Sequence, residues 1–361
     1  MCIQNAGAQA PASNQTQDTI PEVNLMKRRK FNEEFLEKTL VYADLSFVSF
    51  PYCEFGPPKS PYILSADIRP QFLFGGVKSK SLALHIIPRF KVRQFWDESK
   101  PVRTPSFMPG AALYFKSNYL NERSNKYYHY AGLAFSHHSN GQDGNALNAD
   151  GSYNTHTGTF STNYLELSYH LAKSPDRYTT EKKPHYEIYS KIGYEYHPFG
   201  LESEMIGRYG RHRANLKLGL ISNKVYEDVI LYKNKGNQKL RARMQGKKKY
   251  KISEPYIREY WRIVLNASFI ADNSTIGTAL SKKMNPFDRR INADISWSFR
   301  LPGSSHVGLM ATTGYYGSDP YNAYFENSFW FWRFGFSFGN FIKPGYKDLY
   351  RLEGNTVKPV N

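Results

Sequence analysis

Along most of this chain apolar and polar side chains alternate one by one, in segments of about ten residues separated by turn-forming or polar stretches. That is the period of β-strands with two unlike faces. Residues 290–301 show it most cleanly: Ile291, Ala293, Ile295, Trp297, Phe299 and Leu301 take one face, and Asn292, Asp294, Ser296, Ser298 and Arg300 the other. Leu82, Leu84, Ile86, Phe90 and Val92 oppose His85, Arg89, Lys91 and Arg93 in the same way. So do Tyr186, Ile188, Ile192, Tyr194 and Tyr196 against Glu187, Lys191 and Glu195, and Trp261, Ile263, Leu265, Ala267 and Phe269 against Arg262, Asn266 and Ser268. Further candidates lie at 40–50, 62–76, 109–119, 127–139, 161–173, 206–221, 226–232, 305–317 and 328–340, for 13 candidate strands. In the last of them Trp330, Trp332, Phe334, Phe336 and Phe338 alternate with Phe331, Arg333, Gly335, Ser337 and Gly339. A helix is predicted only near Lys27–Lys38.

Alternation of this kind suits a soluble β-sandwich or a membrane β-barrel. Two features favour the barrel. Aromatic residues cluster at strand ends, as in interfacial girdles, and charged residues sit mid-strand opposite the apolar face, where a polar lumen accommodates them. No apolar run approaches the roughly 18 residues of a spanning helix. The predicted fold is therefore all-β, an antiparallel transmembrane β-barrel of about 12 strands, the even number being reached by dropping the weakest or earliest candidate. The domain reading follows. Residues 1–10, ending in Ala8-Gln9-Ala10, read as the remnant of a signal peptide, 11–39 as a polar N-terminal segment, 40–341 as the barrel, and 342–361 as a polar C-terminal tail.

Composition narrows the choice. Of 361 residues 16% are aromatic, too many for a disordered chain. The two cysteines, Cys2 and Cys53, cannot build a disulfide framework or a multi-thiolate zinc site. A balance of 48 Lys+Arg against 31 Asp+Glu gives +17, with the densest run from Lys233 to Lys251. Nucleic acid is the usual partner of a basic chain, but here the cations are scattered over lumen and loops, so none is expected. Lipid head groups and lipopolysaccharide phosphates obey the same electrostatics, and lipopolysaccharide at the basic loops is the expected partner; a plain solvated loop is the simpler reading of the 233–251 run.

Chemistry concentrates in His129–Gly141. In period two, His137 and Ser139 share the face of Ala131, Leu133 and Phe135, and Asn163 on the next strand shares that of Leu165, Leu167, Tyr169 and Leu171. Polar groups on a lipid face are expensive, yet three converge at the loop-side ends of neighbouring strands. His137 could take the proton of the Ser139 hydroxyl while the Asn163 carbonyl holds the imidazole in the right tautomer. An Asn avoids the cost of an ionised carboxylate at an apolar surface. The plainer reading makes Ser-Asn-Gly an ordinary turn and His137 with His138 interfacial. His129, His156 and His170 belong to girdles, loops or lumen.

The run His137-His138-Ser139-Asn140-Gly141 resembles the active-site signature of the outer membrane phospholipase A family, His-x-Ser-Asn-Gly, with an Asn on the following strand. Trp96–Pro109, with Ser99, Pro101 and Arg103, is similar to a loop after an early strand of that family, and Tyr315–Phe325 to its penultimate loop. The resemblance implies a 12-stranded barrel in the bacterial outer membrane, with its active site near the outer leaflet. It also implies activation by homodimerisation and hydrolysis of membrane phospholipid acyl esters with calcium (Ca2+). By motif position His137 is the general base, Ser139 the nucleophile and Asn163 the orienting residue. Backbone N–H groups after the serine would contribute an oxyanion hole. The chain departs from the family in having Gln142 where an Arg follows the Gly, and in a longer spacing from Ser139 to Asn163. Asp143, Asp150, Ser152 and Ser99 are the candidate calcium ligands, as hard oxygen donors. The alternatives are a catalytically inactive structural or lipid-binding barrel of this fold, and a lipid A deacylase. The deacylases carry a His-x-Ser-Asn motif but resemble small eight-stranded barrels with an acidic third residue.

Overall fold

The computed structural model describes residues 35–55, 62–75, 82–95, 102–116, 127–173, 184–227, 255–272, 290–341, 350–353 and 356–359, apart from positions 37, 303, 305, 320 and 327–330. Alternation becomes strand almost everywhere it was predicted. In chain order the strands are β1 (Ser46–Phe55), β2 (Tyr62–Ile68), β3 (Phe72–Gly75), β4 (Leu82–Phe95), β5 (Ser106–Lys116), β6 (Tyr127–Ser139) and β7 (Ser161–Lys173). They continue with β8 (His185–Phe199), β9 (His212–Glu227), β10 (Pro255–Ile270), β11 (Ile291–Arg300), β12 (Val307–Tyr316) and β13 (Phe331–Phe338).

Consecutive strands pair antiparallel, except that β2 and β3 both pair with β4, and β1 pairs with β13, which closes the sheet on itself. β2 and β3 are halves of one stave, because both lie along β4, Ile68 opposite Phe90 and Phe72 opposite Ile86. Pro70 falls in the gap, where its missing N–H cannot serve the ladder. The result is an all-antiparallel barrel of twelve staves.

Three sequence expectations change. Residues 226 and 227 end β9 rather than opening a strand of their own, so the predicted strand 226–232 is the redundant one; its remainder lies outside the described residues. The candidate at 206–221 starts only at His212, because a loop with a 3-10 turn at Ser203–Met205 precedes it. The candidate at 40–50 starts at Ser46, and the helix expected at Lys27–Lys38 is found at residues 35–36 and 38–42, its earlier part lying outside the described residues. The run Leu40-Val41-Tyr42 is apolar without a clear period, which leaves strand and helix open in sequence.

That helical stretch lies inside the barrel. Lys38 Nζ donates to Glu187 Oε1 at 2.5 Å, and Tyr42 OH donates to the same carboxylate. The Tyr42 ring stacks on Tyr189 at 4.6 Å, and Phe35 meets Tyr130 edge-on at 5.4 Å. Arg262 Nη1 and Lys217 Nζ donate to the carbonyls of Val41 and Tyr42 at 2.8 and 2.7 Å. Side chains on the opposite face of the strands point outward: Leu167 is 62% exposed and Ile192 64%, alongside Leu133, Phe135, Tyr194, Trp297, Phe334 and Phe336. This outer wall is apolar, whereas the inner one carries pairs such as Arg262–Glu259 at 2.6 Å, Lys191–Glu166 at 2.6 Å, and Asp67 between Arg69 and Arg89. A free surface so apolar calls for a lipid solvent. Between the helix and the far mouth remains a cavity of about 530 Å³ lined by both polar and apolar side chains.

The barrel has two unlike ends. One carries the loops after β4, β6, β8, β10 and β12; the other carries the entry to β1 and the exit from β13. Glu227 pairs with Pro255 at that second end, away from Ser139; the basic run Lys233–Lys251 lies outside the described residues. Within the stretch read as a polar tail, β14 (Tyr350–Glu353) and β15 (Thr356–Pro359) pair with each other and not with the barrel.

Candidate active site

Three rows of cross-strand partners build the site on the outer wall. His137 of β6 stands opposite Asn163 of β7, and Ser139 opposite Ser161. Residues two apart on paired strands share a face, so His137, Ser139, Asn163 and Ser161 form one half-exposed patch above Phe135 and Leu165. On the other flank β5 contributes Phe107, opposite Ser139. His137 Nδ1 and Asn163 Oδ1 are 2.9 Å apart. The amide's other end, Nδ2, donates to the carbonyl of Phe199 on β8 at 3.5 Å. With Oδ1 accepting from Nδ1–H, the imidazole lone pair sits on Nε2, on the side away from Asn163. Among the described residues Ser139 makes no side-chain hydrogen bond with His137.

The inner face behind the patch is tied down. His138, buried, is hydrogen-bonded through Nε2 to Ser106 Oγ at 3.2 Å, and Asn322 Nδ2 donates to the same hydroxyl at 2.8 Å. Thr162 Oγ1 is 2.8 Å from His197 Nδ1, whose Nε2 lies 2.8 Å from Glu195. These even-numbered neighbours belong to the lumen phase, so the outer positions between them are held by both sides of the sheet.

Asn140 anchors the start of the loop that follows. It is 1% exposed. Its Nδ2 donates to Gly158 O at 2.7 Å, and its Oδ1 accepts from Phe160 N at 3.0 Å and Gln142 N at 3.2 Å. Its own N–H donates to Phe160 O at 3.1 Å. The loop then folds over the barrel mouth: Ala146, Tyr153 and Phe160 pack with Met205, Tyr209, Ala323 and Phe325 from two other loops. Arg208 clasps Glu326 at 2.5 Å across this cap.

Of the calcium candidates, only Asp150 and Ser152 are in contact among the described residues. Ser99 lies outside the described residues. Asp143 and Asp150 are exposed, and Asp150 Oδ1 is already occupied by the Ser152 N–H at 2.9 Å and hydroxyl at 2.6 Å, bonds that hold its carboxyl below the usual range. No group of three or more His, Cys, Asp or Glu side chains converges among the described residues. A cation needing six to eight oxygens does not fit these residues as they stand. The three other histidines weighed in sequence sort into different environments: His129, buried, lies beside Tyr169, His156 is in the loop, and His170 stacks on Tyr130 in the lumen at 4.3 Å.

Sequence reasoning passed over Ser161 and Gly200, and gave Asn140 no role beyond its place in the signature and the turn. Ser161 needed the β6–β7 register. Gly200, with φ +72°, lies beside Asn163; its only signal in sequence is a glycine at a strand end.

No protein-family model matches the chain, and no curated protein does. Among solved structures, outer membrane phospholipase A from Escherichia coli aligns at TM-score 0.47 and 12% identity over 84% of this chain and 99% of that one. The Salmonella typhi outer membrane phospholipase dimer with bound calcium aligns at TM-score 0.46 and 12% identity over 87% and 98%. The structural neighbours of this barrel are outer membrane phospholipases A.

Proposed function

We propose that this chain is an outer-membrane phospholipase A, hydrolysing acyl esters of membrane phospholipids at a lipid-facing Ser139–His137–Asn163 triad near the outer leaflet. The observation that carries the reading is the 2.9 Å contact between His137 Nδ1 and Asn163 Oδ1 on an apolar wall, with a serine hydroxyl two residues along on the same face. A polar pair on a lipid-facing wall is costly unless it serves a purpose.

His137 Nε2 takes the Ser139 Oγ proton as Oγ attacks the acyl carbonyl carbon. The imidazolium so formed keeps its Nδ1–H on Asn163. Of the backbone N–H groups after the serine, those of Asn140 and Gln142 are committed to Phe160 O and Asn140 Oδ1. The N–H of Gly141 has no acceptor among the described residues, which supports it as the donor to the carbonyl oxygen as that oxygen becomes negative. Collapse of the tetrahedral species expels the lysophospholipid alkoxide, which takes the proton from Nε2. Water, deprotonated by Nε2, then attacks the acyl-serine carbonyl, and Ser139 Oγ leaves with the proton from Nε2, freeing the fatty acid and restoring the serine. Because the serine faces the wall rather than the lumen, the acyl chain stays in its hydrocarbon solvent.

The calcium and the dimer of the Salmonella typhi structure set the conditions of the assay here. Fatty-acid release by the purified protein in phospholipid–detergent micelles, with and without calcium, should fall about 10³-fold or more in Ser139→Ala. The unconverged oxygen ligands favour a second reading, an inactive lipid-binding barrel of this fold, which predicts equal, negligible release by both proteins. Twelve staves and an Asn in third place argue against a lipid A deacylase.

A further inference from the structure

β8 approaches Asn163 in an irregular way. Asn163 pairs with Phe199 and Leu165 with Tyr196, so one residue of β7, Tyr164, stands against two of β8, His197 and Pro198. That is a bulge, and bulges re-aim what lies beside them. This one is held from outside the strand: Arg211 Nε donates to His197 O and Arg211 Nη2 to Pro198 O, both at 3.1 Å, and His197 N donates to Arg211 O at 2.9 Å. Just past it, Gly200 turns the chain with φ +72°; a Cβ there would stand 2.1 Å from Asn163 Nδ2 and 3.3 Å from its Cγ.

We propose that the bulge clamped by Arg211, ending at Gly200, is the positioning element that aims the Asn163 amide at His137. The proposal rests on the triad reading for its consequence in turnover. An amide can present either end after half a turn. Phe199 O accepts only from Nδ2, and the empty space at Gly200 is what Nδ2 fills, so Oδ1 is left for His137. With the amide reversed, Nδ2 would donate to His137 Nδ1, move the ring proton to Nε2 and leave Nε2 unable to accept from Ser139.

Gly151 supplies the control. It has the same backbone conformation, φ +77°, on the same end of the barrel, but a Cβ there would meet nothing within 4 Å. Gly200→Ala and Gly151→Ala therefore carry the same left-handed strain and differ in what the methyl meets. Fatty-acid release from micelles by the full chain is expected to show kcat lowered about 10- to 100-fold in Gly200→Ala with KM within about twofold, and Gly151→Ala near wild type. Arg211→Met should move kcat the same way by less, and serves if Gly200→Ala does not fold. In an Asn163→Ala background, Gly200→Ala should change nothing further. Ring-nitrogen NMR of ¹⁵N-histidine protein, with His137 assigned by its loss in His137→Asn, should show an Nδ1–H imidazole in wild type and a mixture of Nδ1–H and Nε2–H forms in Gly200→Ala, whose methyl pushes the amide off His137. The proposal is overturned if both alanine variants lose activity equally, if the Gly200 effect adds to that of Asn163→Ala, or if the His137 signals do not change. Absence of Ser139-dependent release in wild type would instead count against the triad reading, and the ring-nitrogen comparison would still decide the positioning.

Discussion

At the scale of single residues, the site is two hydrogen-bonded units. One is His137 with Asn163; the other is Asn140 with the far end of its loop. They predict different losses. Asn163→Ala removes a bond to a ring that becomes charged, worth about 1.5–3 kcal/mol, so kcat should fall about 10- to 100-fold while thermal stability, read by the gel-shift of the heated barrel, stays near wild type. Asn140→Ala orphans the buried N–H of Phe160 and carbonyl of Gly158, about 1–3 kcal/mol each. Limited proteolysis should then cut between residues 141 and 158 in the variant and spare the wild type. Loss of activity without new cleavage would show that Asn140 acts by some other route.

At the scale of elements, the sheet has a wet side and a lipid side, and the alternation decides which is which. Leu167 stands mid-strand opposite Leu133 with its side chain 62% exposed. Leu167→Arg is expected to destabilise the barrel by about 2–4 kcal/mol in lipid vesicles, the cost of a cation on a lipid face near mid-membrane, measured by urea unfolding. Asn145→Arg, in the exposed loop, should leave the midpoint unchanged. An equal midpoint for Leu167→Arg would mean that this wall does not face lipid. Strand existence and facing were legible in sequence because a buried lumen and an apolar exterior impose period two on every stave. The bulge in β8 was not, since the residues that hold it, Arg211 and His197, meet only when β8 and β9 are folded together.

At the scale of the molecule, the barrel is filled from one end and capped at the other. Residues 35–42 enter the lumen, and Glu187 receives both Lys38 and Tyr42. Glu187→Ala removes the buried carboxylate that receives both Lys38 and Tyr42, which should lower stability by about 1.5–3 kcal/mol and leave Ser139-dependent release intact below the unfolding temperature. The same variant should open ion conductance in planar bilayers where the wild type is silent. A silent Glu187→Ala barrel of wild-type stability would show that this carboxylate does not anchor the plug.

Sequence alone determined the strands, their two faces, the twelve-stave count within one redundant candidate, and the set of outward polar residues at the end of β6. These are properties of local period, and each residue carries its own share of the signal. Only the tertiary structure decided that residues 35–42 are a plug inside the barrel and that the loop oxygens meant for calcium do not converge. It also decided that Asn163 is gripped between His137 and the carbonyl of Phe199. Such facts depend on partners 26 to 149 residues apart, brought together by the register and closure of the sheet, and period two is blind to what stands across a strand.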